Sequence, residues 1–294
     1  MGAADVVPGV SGGTMAFITG IYEELILSIK SVDLTAFRLV VSLRWKEALA
    51  HIRWPFLVAV LAGILGAIFS LAKGIAWLLE HTPVHLWAFF FGLVLASVLT
   101  VSKRVGRWGV GMLSVAGLAA VGAYLLVGLV PVETPEAGWF VLLSGMIAVC
   151  AMILPGISGS FILVLLGKYQ YILAAVNNRD VVTLGIFAVG AAIGLLSFAQ
   201  VLGWIFRRHH DLTVAMLTGL MVGSLRKIWP WKETISTMLN RHGKTVPVER
   251  VNILPETFSG EVGLAAALAA LGIVLVVLLD RVAAHRGDAR GEKS

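Results

Sequence analysis

Two stretches of this chain share an unusual order of residues: Pro8-Gly9-Val10-Ser11-Gly12-Gly13-Thr14 and Pro155-Gly156-Ile157-Ser158-Gly159-Ser160. Pro and Gly interrupt helices, and both stretches sit in strongly apolar surroundings. A turn of Gly and Ser ahead of a new helix leaves several backbone N–H groups without partners. Those groups and the positive end of the helix dipole attract anions, phosphate above all. Ser11, Thr14, Ser158 and Ser160 add hydroxyl donors, and Gly9, Gly12, Gly13, Gly156 and Gly159 let a headgroup approach the backbone closely. Neither stretch contains Lys or Arg, so an anion held there is held mildly enough to leave again. The bland account of each is a helix-packing turn built from small residues.

Charged residues nearby divide in the same way. Asp5 lies just before the first turn, and a carboxylate inside a bilayer is costly and usually functional. Glu23 and Glu24 follow that turn. All three are candidates for holding a coupling proton or sodium ion, with surface solvation as the alternative for the glutamates. Arg226 and Lys227 precede Trp229 and Trp231. They read either as a basic pair facing a phosphate or as interfacial anchors.

These residues must be positioned within a membrane. Of the 294 residues 58% are hydrophobic and 14% charged, and the mean hydropathy is +0.91. Soluble domains carry about 25% charged residues, so the chain reads as an integral membrane protein. The net charge of +6 then marks cytoplasmic loops and not a nucleic-acid partner. His209 and His210 read as solvated loop residues, the single Cys150 excludes an intrachain disulfide, and no Cys/His spacing suits a metal. Walker-type and Gly-X-Gly-X-X-Gly loops are absent, so no nucleotide drive and no cofactor are inferred.

Apolar runs predict crossings at 55–79, 84–102, 108–132, 181–206, 212–229 and 262–279. The run 137–167 has no Asp, Glu, Lys or Arg. As one straight helix it would reach about 46 Å, against a bilayer core of about 30 Å. With Pro155-Gly156 in its middle it reads as a re-entrant hairpin, over 137–175 in full. The region 1–28 reads likewise. With both regions re-entrant, the basic loops 29–54, 102–108 and 207–211 and the basic tail fall on one side, the cytoplasm, together with both termini. Segment 33–50 repeats apolar residues at helical spacing and reads as an amphipathic surface helix.

An offset of 147 residues superimposes Pro8, Gly9, Ser11, Gly12, Gly20 and Tyr22 on Pro155, Gly156, Ser158, Gly159, Gly167 and Tyr169. An offset of 127 superimposes Ala88, Gly92, Leu93 and Ser97 on Ala215, Gly219, Leu220 and Ser224. The difference matches the amphipathic segment of the first half. The expected architecture is an all-α membrane protein of two inverted repeats, 1–136 and 137–294. Each is a re-entrant hairpin plus three crossings, a plan common among secondary transporters. Only seven residues precede Pro8, which predicts a natural start upstream of Met1.

The stretches ADVVPGVSGGTMAFITGIYEELI and GSLRKIWPW, with the GLVLAS and GLMVGS pair, together resemble the polyprenyl-phosphate transporter family over nearly the whole chain. The resemblance implies a non-enzymatic translocase of the bacterial cytoplasmic membrane. Such a protein returns the lipid carrier undecaprenyl phosphate from the outer to the cytoplasmic leaflet. It also implies a phosphate-binding role for Pro8 to Thr14 and Pro155 to Ser160. Two other classes stand beside it. Undecaprenyl-diphosphate phosphatases carry a Pro-Gly-X-Ser-Arg-Ser stretch, but the chain has no Arg in either turn to stabilise developing charge. A carrier of small soluble anions is the other.

Overall fold

The computed structural model describes residues 1–5, 11–132, 134–239, 245–255 and 260–291; Pro8 and Gly9 lie outside the described residues. The first half runs α1 (Gly2–Asp5), α2 (Gly12–Ile18), α3 (Tyr22–Lys30), α4 (Leu34–Val41), α5 (Trp45–His51), α6 (Trp54–His81), α7 (Pro83–Ser102) and α8 (Val110–Leu126). The second runs α9 (Gly138–Ile153), α10 (Gly159–Leu165), α11 (Tyr169–Asn177), α12 (Val181–Arg208) and α13 (His210–Ile228), then strands β1 (Lys232–Leu239) and β2 (Thr245–Asn252), and α14 (Gly260–Gly291).

The offset of 147 reappears in the backbone. Helices α2 and α3 begin and end where α10 and α11 do once shifted. The turn joining each pair makes matching hydrogen bonds: Gly20 N to Phe17 O and Gly167 N to Val164 O, Ile21 N to Ala16 O and Lys168 N to Leu163 O. Both turns pass through a left-handed glycine, Gly20 at φ 73° and Gly167 at φ 62°, a conformation that glycine adopts without steric strain. Asp33 then caps Ala36 N, and Asp180 caps Thr183 N. Beyond the caps the two halves diverge. Asp180 starts the long α12, whereas Asp33 starts the short α4. After α5 the offset of 127 sets in, with α6 and α12 sharing both boundaries.

Four helices are long and apolar enough to cross a membrane: α6, α7, α12 and the Gly260–Val282 part of α14. The pair α10–α11, bent by 106°, would make five. Of the six crossings expected, α8 is short at 17 residues, about 26 Å long. Helix α13 has 19 residues but carries Asp211 at one end and Arg226 and Lys227 at the other. The chain is a multi-pass membrane protein.

Helices exchange partners between the halves. Helix α7 packs along α14, and α13 packs along α8. Both contacts are backbone on backbone. A Cβ at Gly92 would lie 2.0 Å from Ala269 O, and one at Gly219 would lie 2.1 Å from Ala116 O. Small residues give this close approach, the favoured mode of helix association in lipid. The central core joins Phe17, Tyr22, Ile26, Leu202, Phe206, Leu217 and Met221, from α2, α3, α12 and α13.

Two features depart from the sequence reading. Segment 33–50 is two helices and not one. The break falls at Leu43, held at φ 58° by a helix-ending turn with Leu43 N on Val40 O and Arg44 N on Leu39 O. Leu34, Phe37, Val41, Trp45 and Leu49 are exposed, as a helix pair lying in a membrane interface requires. The fold is also not wholly helical, because β1 and β2 form an antiparallel hairpin with a bulge. That hairpin occupies the loop expected between the last two crossings.

Candidate functional site

Ser11 caps α2 by accepting Gly13 N at 3.1 Å. Its hydroxyl also donates across to the other turn, shared between Met152 O at 3.0 Å and Leu154 O at 3.1 Å. Tyr22 donates its hydroxyl to Ile153 O at 3.2 Å. These three carbonyls belong to the end of α9, where acceptors lack helical N–H partners; Leu154 O also accepts Ile157 N at 3.4 Å. The first turn therefore caps a helix some 140 positions away in sequence. In return Gly156 N donates to Thr14 Oγ1 at 3.0 Å. The fit is tight, since a Cβ at Gly13 would lie 2.4 Å from Ile153 O.

Ser11 to Thr14 thus meet the second Pro-Gly-X-Ser-Gly segment in space, but the hydroxyls on the two sides are used differently. Ser11 and Thr14 are buried, at 1% and 0% exposure, and spent on the opposing backbone. In the second turn Ser158 Oγ pairs with Ser160 Oγ at 2.7 Å. One hydroxyl hydrogen serves that bond, so the pair retains a second donor. Gly156 turns at φ 89°, and a Cβ there would meet Ser224 Oγ at 2.6 Å. Pro155 is buried beside it, Gly12 is buried in α2, and Gly159 packs on Ala148 O, folding α10 back onto α9.

Both cations of the pair Arg226 and Lys227 stand over aromatic rings. Lys227 Nζ stands 4.2 Å from the ring centre of Phe161, next in sequence to Ser160. Arg226 stacks over Tyr124 at 4.4 Å and donates to Tyr124 O at 3.0 Å, the geometry of an anchor. Lys168 was missed by the sequence reading. It is 1% exposed, donates to Thr134 O at 2.8 Å, and faces the rings of Phe140 and Tyr171. Its counterpart at the offset of 147 is Ile21, which is why repetition alone did not reveal it.

The two glutamates face the surface. Glu23 pairs with His210 at 3.1 Å on an exposed surface, and Glu24 is exposed. Asp5 ends α1. Among the described residues no group of His, Cys, Asp and Glu could hold a metal ion.

The halves differ in exposure as well. Tyr22 is 1% exposed and packs on Phe17 at 4.2 Å, whereas its counterpart Tyr169 is 39% exposed. Leu173 and Val176 of α11 are exposed, while the matching Ile26 and Ile29 of α3 are buried. One hairpin is sealed into the core and the other is open along its side.

The chain is similar to a polyprenyl-phosphate transporter of Vibrio cholerae, 45% identical over 96% of this chain and 94% of that protein. It is 30% identical to a polyprenyl-phosphate transporter of Staphylococcus aureus, over 78% of this chain and 83% of that one. No solved structure matches. Residues 1–246 match the undecaprenyl phosphate translocase-like family, and this chain belongs to it.

Proposed function

We propose that this protein is a non-enzymatic carrier of polyprenyl phosphate that returns undecaprenyl phosphate from the outer to the cytoplasmic leaflet of a bacterial membrane. The observation that carries the reading is the interlock of the two turns, in which Ser11, Thr14 and Tyr22 clasp residues 152–156. A phosphate must cross the low-dielectric core, where an unpaired charge is prohibitive, and broken helices at mid-depth supply fixed dipoles for that passage. Within this reading the turns divide the labour. The first turn holds the architecture, and Ser158, Ser160 and the backbone around Gly159 receive the headgroup, with Lys227 as the nearby cation. The prenyl chain stays in lipid, so only the headgroup needs a protein route.

The inverted arrangement of the two halves belongs to the same proposal. It is supported by the matched hairpins and by the exchange of α7 and α13 between halves. The sealed first hairpin and open second hairpin fit a carrier resting with one side shut. The termini and basic loops are then cytoplasmic, and Asp5, Glu23 and Glu24 are the candidates for a coupling proton or sodium ion.

The test is reconstitution into vesicles loaded with undecaprenyl phosphate, following its appearance on the opposite leaflet. Movement that exceeds empty vesicles and is lost in Ser158→Ala/Ser160→Ala supports the reading. Movement no faster than in empty vesicles refutes it.

A further inference from the structure

The insertion α4–α5 breaks the match between the halves, and it builds a cavity. Val32, Leu34, Phe37, Val40 and Ile52 face Leu196 of α12 across a trough of about 470 Å³, within the range of small-ligand sites. Its polar members make their hydrogen bonds within the protein. Gln200 Nε2 donates to Lys30 O at 2.9 Å, Ser197 Oγ donates to Ile193 O at 2.7 Å, and Asp33 Oδ1 accepts Ala36 N at 2.9 Å and contacts His51 Nε2 at 3.1 Å. The trough therefore asks for an apolar occupant.

Beyond its rim, and apart from the Asp33 carboxylate that His51 and Ala36 N–H already engage, stand two cations. The stem of Lys30 lies along α12, where a Cβ at Gly203 would come within 3.1 Å of Lys30 Cδ and 3.9 Å of Nζ. Gly203 leaves the room for that stem. Arg207 follows Gly203 by four residues on the same helix, one turn along from the Lys30 stem. Two cations held near one another repel, and an anion between them turns repulsion into attraction. An apolar trough with a cation pair beyond its rim is complementary to an amphiphile with an anionic head.

We propose that this trough holds the first isoprene units of the lipid phosphate, next to its headgroup, on the side of the basic loops, with the phosphate at Lys30 and Arg207 and the rest of the chain in lipid. It would be a receiving site, separate from the paired turns and present in one half only. Two equivalent halves would treat the leaflets alike, and a tail site at one end makes them unequal. The proposal rests on the carrier reading for the identity of the lipid.

Undecaprenyl phosphate with a photoreactive diazirine in its chain is the probe, applied to the full protein in phosphatidylethanolamine vesicles, with adducts located by mass spectrometry. Adducts are expected on residues 34–40 and 196–200. They should fall at least tenfold in Lys30→Gln/Arg207→Gln, and also in Val40→Trp or Ser197→Phe, which fill the trough. Adducts that persist in these variants, or that excess phosphatidylglycerol removes as readily as unlabelled undecaprenyl phosphate, overturn the site. The two proposals fail separately. Adducts without translocation keep the site and sink the carrier, whereas translocation without adducts sinks the site alone.

Discussion

Replacing Ser11 by alanine should damage the fold more than replacing its counterpart Ser158. Ser11 Oγ accepts Gly13 N and donates to the carbonyls of Met152 and Leu154, all within 3.1 Å, at 1% exposure. Alanine leaves a buried N–H without an acceptor and removes the donor from two helix-end carbonyls. One buried unsatisfied group costs about 1–3 kcal/mol, and the lost cap alone is worth about 1 kcal/mol. With partial relaxation, Ser11→Ala should destabilise by about 2–3 kcal/mol. Ser158 pairs with the hydroxyl of Ser160, which can turn elsewhere, so Ser158→Ala should lose about 1 kcal/mol or less. The gap corresponds to roughly a tenfold or greater difference in the folded-to-unfolded ratio. Denaturant unfolding in mild detergent reads stability, and equilibrium binding of undecaprenyl phosphate reads the headgroup site. Ser11→Ala should lower stability, whereas Ser158→Ala should lower affinity. Equal destabilisation by the two, or lost affinity with unchanged stability in Ser11→Ala, would refute the division of labour.

Three further outcomes follow from the same geometry. Gly13→Ala places a methyl 2.4 Å from Ile153 O and should part the two turns, abolishing translocation and lowering stability by about 1–3 kcal/mol or more; a variant that transports normally would contradict the interlock. Tyr22→Phe removes the bond to Ile153 O and should cost about 1 kcal/mol, while Tyr169→Phe, at an exposed ring, should leave the unfolding midpoint unmoved. Ala36 N–H, with His51 as a weaker partner, holds the Asp33 carboxyl below the usual carboxylate range against a smaller opposing effect of burial. A depressed value contributes stability above the unfolded pKa of about 3.9 and loses it as pH falls through the folded one. Amide exchange at Ala36 should therefore stay slow down to about pH 4 and quicken below; quickening already near pH 6 would remove Asp33 as the cause.

The repeated hairpins were legible because residue types and backbone needs coincide there. Gly20 and Gly167 had to be glycine for a left-handed turn, and that constraint is visible in one dimension. The partners of the hydroxyls were not visible. Nothing near Ser11 in sequence shows that its acceptors are Met152 and Leu154, so four similar hydroxyls read as four equivalent donors. Lys168 was hidden for another reason. A lysine at the end of an apolar run reads as the edge of the membrane, and only packing shows it enclosed by Phe140 and Tyr171. The break in the amphipathic segment escaped because leucine seldom adopts positive φ, so Leu43 carried no turn signal. The hairpin β1–β2 lies in a stretch of mixed charge whose strand character rests on pairing across the turn.

The exchange of helices between the halves has a consequence for biosynthesis. Helix α7 emerges from the ribosome long before α14, yet α14 fills the groove over Gly92. Until the last helix is inserted, α7 waits in the bilayer with its small-residue face against lipid alone. A ribosome that stops before residue 260 therefore leaves a membrane-inserted chain that cannot complete its first half. Such a product should be recognised by membrane proteases, and supplying residues 260–294 as a separate polypeptide should protect it.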